Sequence, residues 1–169
     1  MSQPGNRIVG SLRRIDDVAG AIRMEDVYDT DIEDLWSAIT EPSRLARWIA
    51  TVEGDLCLGG RVHVSFTSDS EGRGRIDVCD APRRLLVTFD AGTPEENAIE
   101  AILSPAGDQT RLVVEQRGIP LAELAAHGAG WQTHVEDLAA YLAGREPGAW
   151  RVRWVELTPA YEQLATSLT

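Results

Sequence analysis

Between Gly59-Gly60 and Gln116 the chain is written as a run of short segments in which apolar and polar residues alternate, separated by brief turns. Val62, Val64 and Phe66 fall on one side of the first segment, with Arg61, His63 and Ser65 on the other. Gly72 and Gly74 introduce a second segment, in which Ile76 and Val78 are expected to face together. Leu85, Val87 and Phe89 follow Pro82, and Ile99, Ala101 and Leu103 form the next row. After a turn at Ser104–Asp108, Thr110, Leu112, Val114 and Gln116 complete the series. A period of two with short connections is the pattern of an antiparallel meander; a parallel sheet would need long crossovers between its strands.

Helical periodicity flanks this run. Asp29 to Asp31 supply a cap, and Ile32, Leu35, Trp36 and Ile39 then recur on one face. Pro42 suits the first turn of a second short helix, where Leu45, Trp48 and Ile49 extend the apolar surface. Residues 121–143 read as the long helix, with a bend predicted at Gly128–Gly130 and an apolar face of Trp131, Val135, Leu138 and Leu142 beside His134. The fold class is therefore α+β. Ala21–Tyr28 alternates partly, as an edge strand or hairpin arm would, and residues 1–10, with Pro4 and Gly5, are expected to start loosely. Gly144, Pro147 and Gly148 mark a boundary. It divides a domain at 7–144 from an extension at 145–169, whose Trp154, Leu157, Tyr161, Leu164 and Leu168 pack on the domain or at an oligomer interface. A homodimer is compatible with the latter.

Composition removes several chemistries. All 16 basic side chains are arginine, so no lysine amine exists for a Schiff base or a P-loop. Against 27 acidic residues the net charge is -11, which disfavours a broad nucleic-acid footprint. No basic segment precedes a long apolar run, so neither export nor a membrane span is expected, and cytoplasmic location is the default. Cys57 and Cys79 sit among apolar neighbours and read as free thiols.

His63, His127 and His134 have no HExxH or Cys/His spacing that would assemble a metal site. Asp77, Glu100 and Glu115 alternate away from the inward rows, and Glu136-Asp137 has an ordinary explanation in solubility. The serines lack a hydrolase elbow. Gly72-Arg73-Gly74-Arg75 reads as a turn between strands, not a nucleotide loop. Trp36 reads as an anchor of the small helices on the sheet, Trp48 equally as anchor or cavity wall, and Trp131 as a close-packing contact of the long helix that can also wall a cavity.

Several marks in order resemble the START-like superfamily, in the branch related to the activator of Hsp90 ATPase. They are Leu35-Trp36-Ser37-Ala38-Ile39-Thr40, Arg44-Leu45-Ala46-Arg47-Trp48, Gly59-Gly60-Arg61-Val62 and Gly74-Arg75-Ile76. Pro82-Arg83-Arg84-Leu85, the stretch Leu103–Leu112 and Gly130-Trp131 follow. The resemblance spans about Ala21 to Leu142. It implies a helix-grip fold, a strongly curved antiparallel sheet around a long C-terminal helix, with two small helices and an internal apolar cavity for a small hydrophobic or amphipathic molecule. Trp48, Val62, Val64, Phe66, Ile76, Val78, Phe89, Ala101, Val114 and Trp131 would supply apolar contacts, while Thr110, Gln116 and His134 orient a polar group. Gln116 stands near a position where several relatives carry histidine, which weakens a cyclase reading that depends on imidazole there. No catalytic residue, metal or cofactor is assigned. A carrier or sensor leads; a cyclase- or dehydratase-like enzyme on an aromatic or polyketide-like substrate and a chaperone-associated interaction module are the alternatives.

Overall fold

The computed structural model describes residues 7–168, so the expectation for the first residues lies outside the described part of the chain. Eight antiparallel strands form one sheet: β1 (Gly10–Arg14), β2 (Ala19–Tyr28), β3 (Ala50–Gly54), β4 (Arg61–Phe66), β5 (Glu71–Asp80), β6 (Arg84–Phe89), β7 (Asn97–Ala106) and β8 (Gln109–Pro120). Their spatial order is β1-β2-β8-β7-β6-β5-β4-β3. The meander therefore runs unbroken from β3 to β8, and the N-terminal hairpin adds to its far side. Ala21–Tyr28 is an arm of that hairpin, one of its two expected roles, and is paired with β1 on one side and β8 on the other, so it is not an edge.

Two short helices, α1 (Ile32–Thr40) and α2 (Pro42–Leu45), precede β3. The Asp31 carboxylate caps α1 by accepting from the Asp34 N–H at 2.8 Å, and Pro42 opens α2. Leu35 and Ala38 are fully buried. The Trp48 indole N–H donates to the Ala38 carbonyl at 3.0 Å, which ties the end of this unit back to its first helix.

The inward rows alternate as their period requires, with one break. A bulge between Ile76 and Val78 pairs Ile76 with Val87 but Val78 with Leu86 and Cys79 with Leu85. One extra residue in β5 reverses the facing of every residue after it. Val78 is thus turned to the outer face, against expectation, and Cys79 packs on the core in its place. The bulged residue, Asp77, accepts from the Thr88 hydroxyl and the Arg75 guanidinium.

The gripping helix α3 (Leu124–Leu142) is continuous; the predicted bend at its glycines is absent. Those glycines serve a close approach instead. A final helix, α4 (Trp150–Thr166), lies along α3 and buries Leu157 and Tyr161 completely or nearly so. A Cβ at Gly128 would stand 2.5 Å from Tyr161 Cδ1, and one at Gly130 would be 3.2 Å from the Trp150 ring. The Tyr161 hydroxyl donates to Gln132 Oε1 at 2.6 Å, and Arg153 spans Glu136 through Nε at 2.6 Å and Nη2 at 2.9 Å. Glu136 is therefore a structural partner, more than a solubilising charge.

Gly128→Ala weighs two opposed effects. Alanine favours the helix by about 1 kcal/mol over glycine, whereas forcing a methyl group into a packed ring costs about 1–3 kcal/mol. Because Tyr161 is fully buried and cannot swing into solvent, the clash wins. The expected result is a net loss of stability in urea unfolding, where a surface glycine in a helix would show a gain.

Candidate ligand-binding cavity

The sheet curves around α3 and leaves two adjoining spaces. The inner one is bounded by Ile39, Leu45 and Trp48 from the small helices, by Val62 and Val64 of β4, and by Leu85, Val87 and Phe89 of β6. Ala101, Leu112 and Val114 close its floor. Its volume is about 110 Å³ and its lining is apolar throughout. Alternation alone produces this wall, since each strand turns every second side chain toward the same concave face.

The outer space is larger, about 250 Å³, and chemically mixed. Gln116, His127 and His134 line it together with Ser68, Ser70 and the aromatic residues Trp150 and Trp154 of α4. Phe66, Ile99 and Trp131 border both spaces, so the two chambers meet across these side chains.

Three of the expected polar contacts have different fates. Thr110 is fully buried, but its hydroxyl donates to the Thr30 carbonyl at 2.8 Å and it lines neither chamber. It fastens β8 to the loop before α1. Gln116 reaches the outer chamber with both ends of its amide engaged: Oε1 accepts from the Trp131 indole at 2.8 Å, and Nε2 donates to Asn97 Oδ1 at 3.0 Å. Its first duty is to hold the Trp131 ring between the chambers. His134 is different, because its Nδ1 is buried without a hydrogen-bond partner.

The rings of Trp131, Trp150 and Phe66 surround His134, with centroids 5.7, 5.5 and 6.1 Å away. Burial among them pushes the imidazole pKa down to about 3, so the ring is neutral across the physiological range. A second buried nitrogen without a partner, Trp150 Nε1, lies on a ring packed directly against it. By contrast Trp154, stacked on Trp150 at 5.8 Å, donates its indole N–H to the Ala126 carbonyl.

Of the remaining expected contacts, Trp48, Val62, Val64, Phe89, Ala101 and Val114 line the inner chamber, and Phe66 and Trp131 border both. Ile76 is fully buried in the core but outside either lining, and Val78 faces away. Trp48 does not share a chamber with Gln116 and His134. Sequence reasoning missed Ile99 as a divider and the α4 pair Trp150 and Trp154; the four-residue spacing of those tryptophans was the available signal. Among the described residues, no three His, Cys, Asp or Glu side chains converge as a metal site, and no helix is long and apolar enough to cross a membrane.

Comparison with known proteins fits this architecture. CalU16 from Micromonospora echinospora is 26% identical, with a TM-score of 0.75 over 93% of this chain and 96% of that one. DynU16, a protein of the dynemicin biosynthetic locus, is 26% identical with a TM-score of 0.68, over 75% of this chain and 48% of its own. PFC0360w, an Hsp90 activator from Plasmodium falciparum, has a TM-score of 0.61 at 20% identity, over 73% of this chain and 96% of that one, a likeness of fold alone. No protein with a curated description matches. The family model for activator of Hsp90 ATPase homolog 1-like proteins matches residues 29–143, from the cap of α1 to the end of α3. With a helix-grip sheet closed by α3 over that same span, the chain belongs to the activator of Hsp90 ATPase homolog 1-like family.

Proposed function

We propose that the protein binds a small amphipathic molecule across the two chambers, as a cytoplasmic carrier or sensor. Residues 7–144 form the ligand-holding unit and residues 145–169 its cover. The observation that carries this reading is the pairing of a wholly apolar space with a larger one of mixed lining, beside which two buried ring nitrogens have no partner. Removing a hydrocarbon tail from water drives entry, and the polar atoms fix which end leads. An apolar cavity of about 150 Å³ holds a benzene ring. By that measure the inner chamber suits a short aliphatic chain and the outer one a ring or polar head.

The family name and the Plasmodium protein point to Hsp90, but a likeness of fold brings no partner with it, and no chaperone surface is proposed. Catalysis is the competing use of the same space, favoured by one feature, an imidazole with an unpartnered nitrogen beside the cavity, and opposed by the burial that makes that ring a weak base. Native mass spectrometry separates the readings. Gently purified protein is expected to retain a compound or to take up added 1-decanol stoichiometrically. Ala101→Leu, which fills the inner chamber, should weaken that uptake about tenfold. Repeated product formation from aromatic substrates would favour the enzyme. Failure to bind decanol at its solubility limit, with no retained compound, would overturn the binding reading.

A further inference from the structure

One wall of the outer chamber, Trp150 and Trp154, comes from α4, which lies beyond the residues matched by the family model. Trp150 opens that helix immediately after exposed Gly148 and Ala149, and its ring covers His134 at 5.5 Å with a 39° tilt. Each of these two rings carries a buried nitrogen with no partner. Buried polar groups are nearly always paired, and leaving two unpaired on touching rings penalises this arrangement. Trp154 shows the contrast, since its N–H is satisfied and its ring is fixed. Both nitrogens are closed off as the rings stand, so a guest that pairs with them requires Trp150 to shift from His134.

The walls say which guest. Trp131, Trp150, Trp154 and Phe66 present ring faces and edges, the surroundings in which a flat aromatic group packs best. The indole N–H only donates, so it requires an oxygen acceptor. A neutral imidazole nitrogen is donor or acceptor according to tautomer, and a hydroxyl answers either. A carboxylate is disfavoured: nothing inside the chamber is cationic, because the one arginine in its lining, Arg151, is exposed to solvent.

Building on the binding reading above, we infer that the outer chamber is a subsite for an uncharged phenolic ring, whose hydroxyl pairs with Trp150 Nε1 and His134 Nδ1. The two nitrogens then act as the specificity determinants of the protein, and α4 completes the site.

The probes are 2-naphthol, 2-methylnaphthalene and 1-decanol, titrated into the full chain by calorimetry. Methylnaphthalene is the more hydrophobic ring, so transfer from water alone favours it. Paired hydrogen bonds should reverse that order, giving naphthol about a tenfold advantage. In Trp150→Phe and in His134→Phe, which keep a ring in place but remove the hydrogen-bonding nitrogen, the advantage should fall to about twofold or less. Equal affinity for the two rings in the native protein, or a preference that survives both substitutions, overturns the inference. Decanol binding without a naphthol preference does so while the cavity reading stands. If none of the three binds, both readings fall.

Discussion

A chain ending at Glu146 is expected to lose on the order of 5 kcal/mol of stability and to melt about 10–20 °C lower. Leu157 and Tyr161 are 2% and 0% exposed, and each such side chain contributes about 1.5–3 kcal/mol by burial. The Tyr161–Gln132 hydrogen bond and the two-pronged Arg153–Glu136 pair leave with them. Truncation also strips cover from Gly128, Gly130 and His134, so the remaining domain should expose new apolar surface and tend to associate. Domains of this size have only about 5–15 kcal/mol in reserve, and the shortened chain would stand near its limit. Thermal and urea unfolding of both lengths check this. An unchanged melting temperature would make α4 a detachable interaction arm, the role that an exterior docking module requires.

Local rules made most of this architecture legible. Period-two alternation located the rows Val62, Val64 and Leu85, Val87, Phe89 because each strand has one buried face. The Asp31 cap and Pro42 did the same for α1 and α2. Where reading failed, the deciding interaction was not local. The bulge at Asp77 is set by partners on β6, and no alternation within β5 reveals an extra residue. Ala50–Gly54 was not anticipated as a strand, since five residues with a single half-buried valine carry little pattern. Gly128 and Gly130 signalled a bend by propensity, yet they answer to Tyr161 and Trp150 on another helix. The cavity suffered similarly. Alternation turned Gln116 inward, but only the fold shows its amide committed to Trp131 and Asn97. The apolar stripe of α4 was readable as a packing face, whereas the chamber made by its first turn depends on where that face lands.

Acid should destabilise the protein through His134, and a single substitution should isolate the effect. Burial lowers its folded-state pKa to about 3 from an ordinary value of 6.5. Between those limits the unfolded chain binds a proton that the folded chain refuses, so stability falls as pH drops below 6.5 and is intact above it. One group refused in this way removes about 2–3 kcal/mol between pH 6.5 and pH 4.5. Asp137, one turn along α3, acts oppositely: burial, then the neighbouring Glu136, raises its pKa to about 7, so the folded state gains a proton as pH falls over the same interval. Its partly solvated position reduces that compensation, but the overlap can flatten the native curve. The informative quantity is therefore the difference between His134→Phe and the native chain, in which Asp137 cancels. That difference should be within about 1 kcal/mol at pH 7.5 and should grow in favour of the variant by about 2–3 kcal/mol by pH 4.5. Urea unfolding across this range measures it directly. A difference that stays constant with pH would mean that His134 is solvated and free to titrate, and the closed ring cluster over the outer chamber would have to be abandoned.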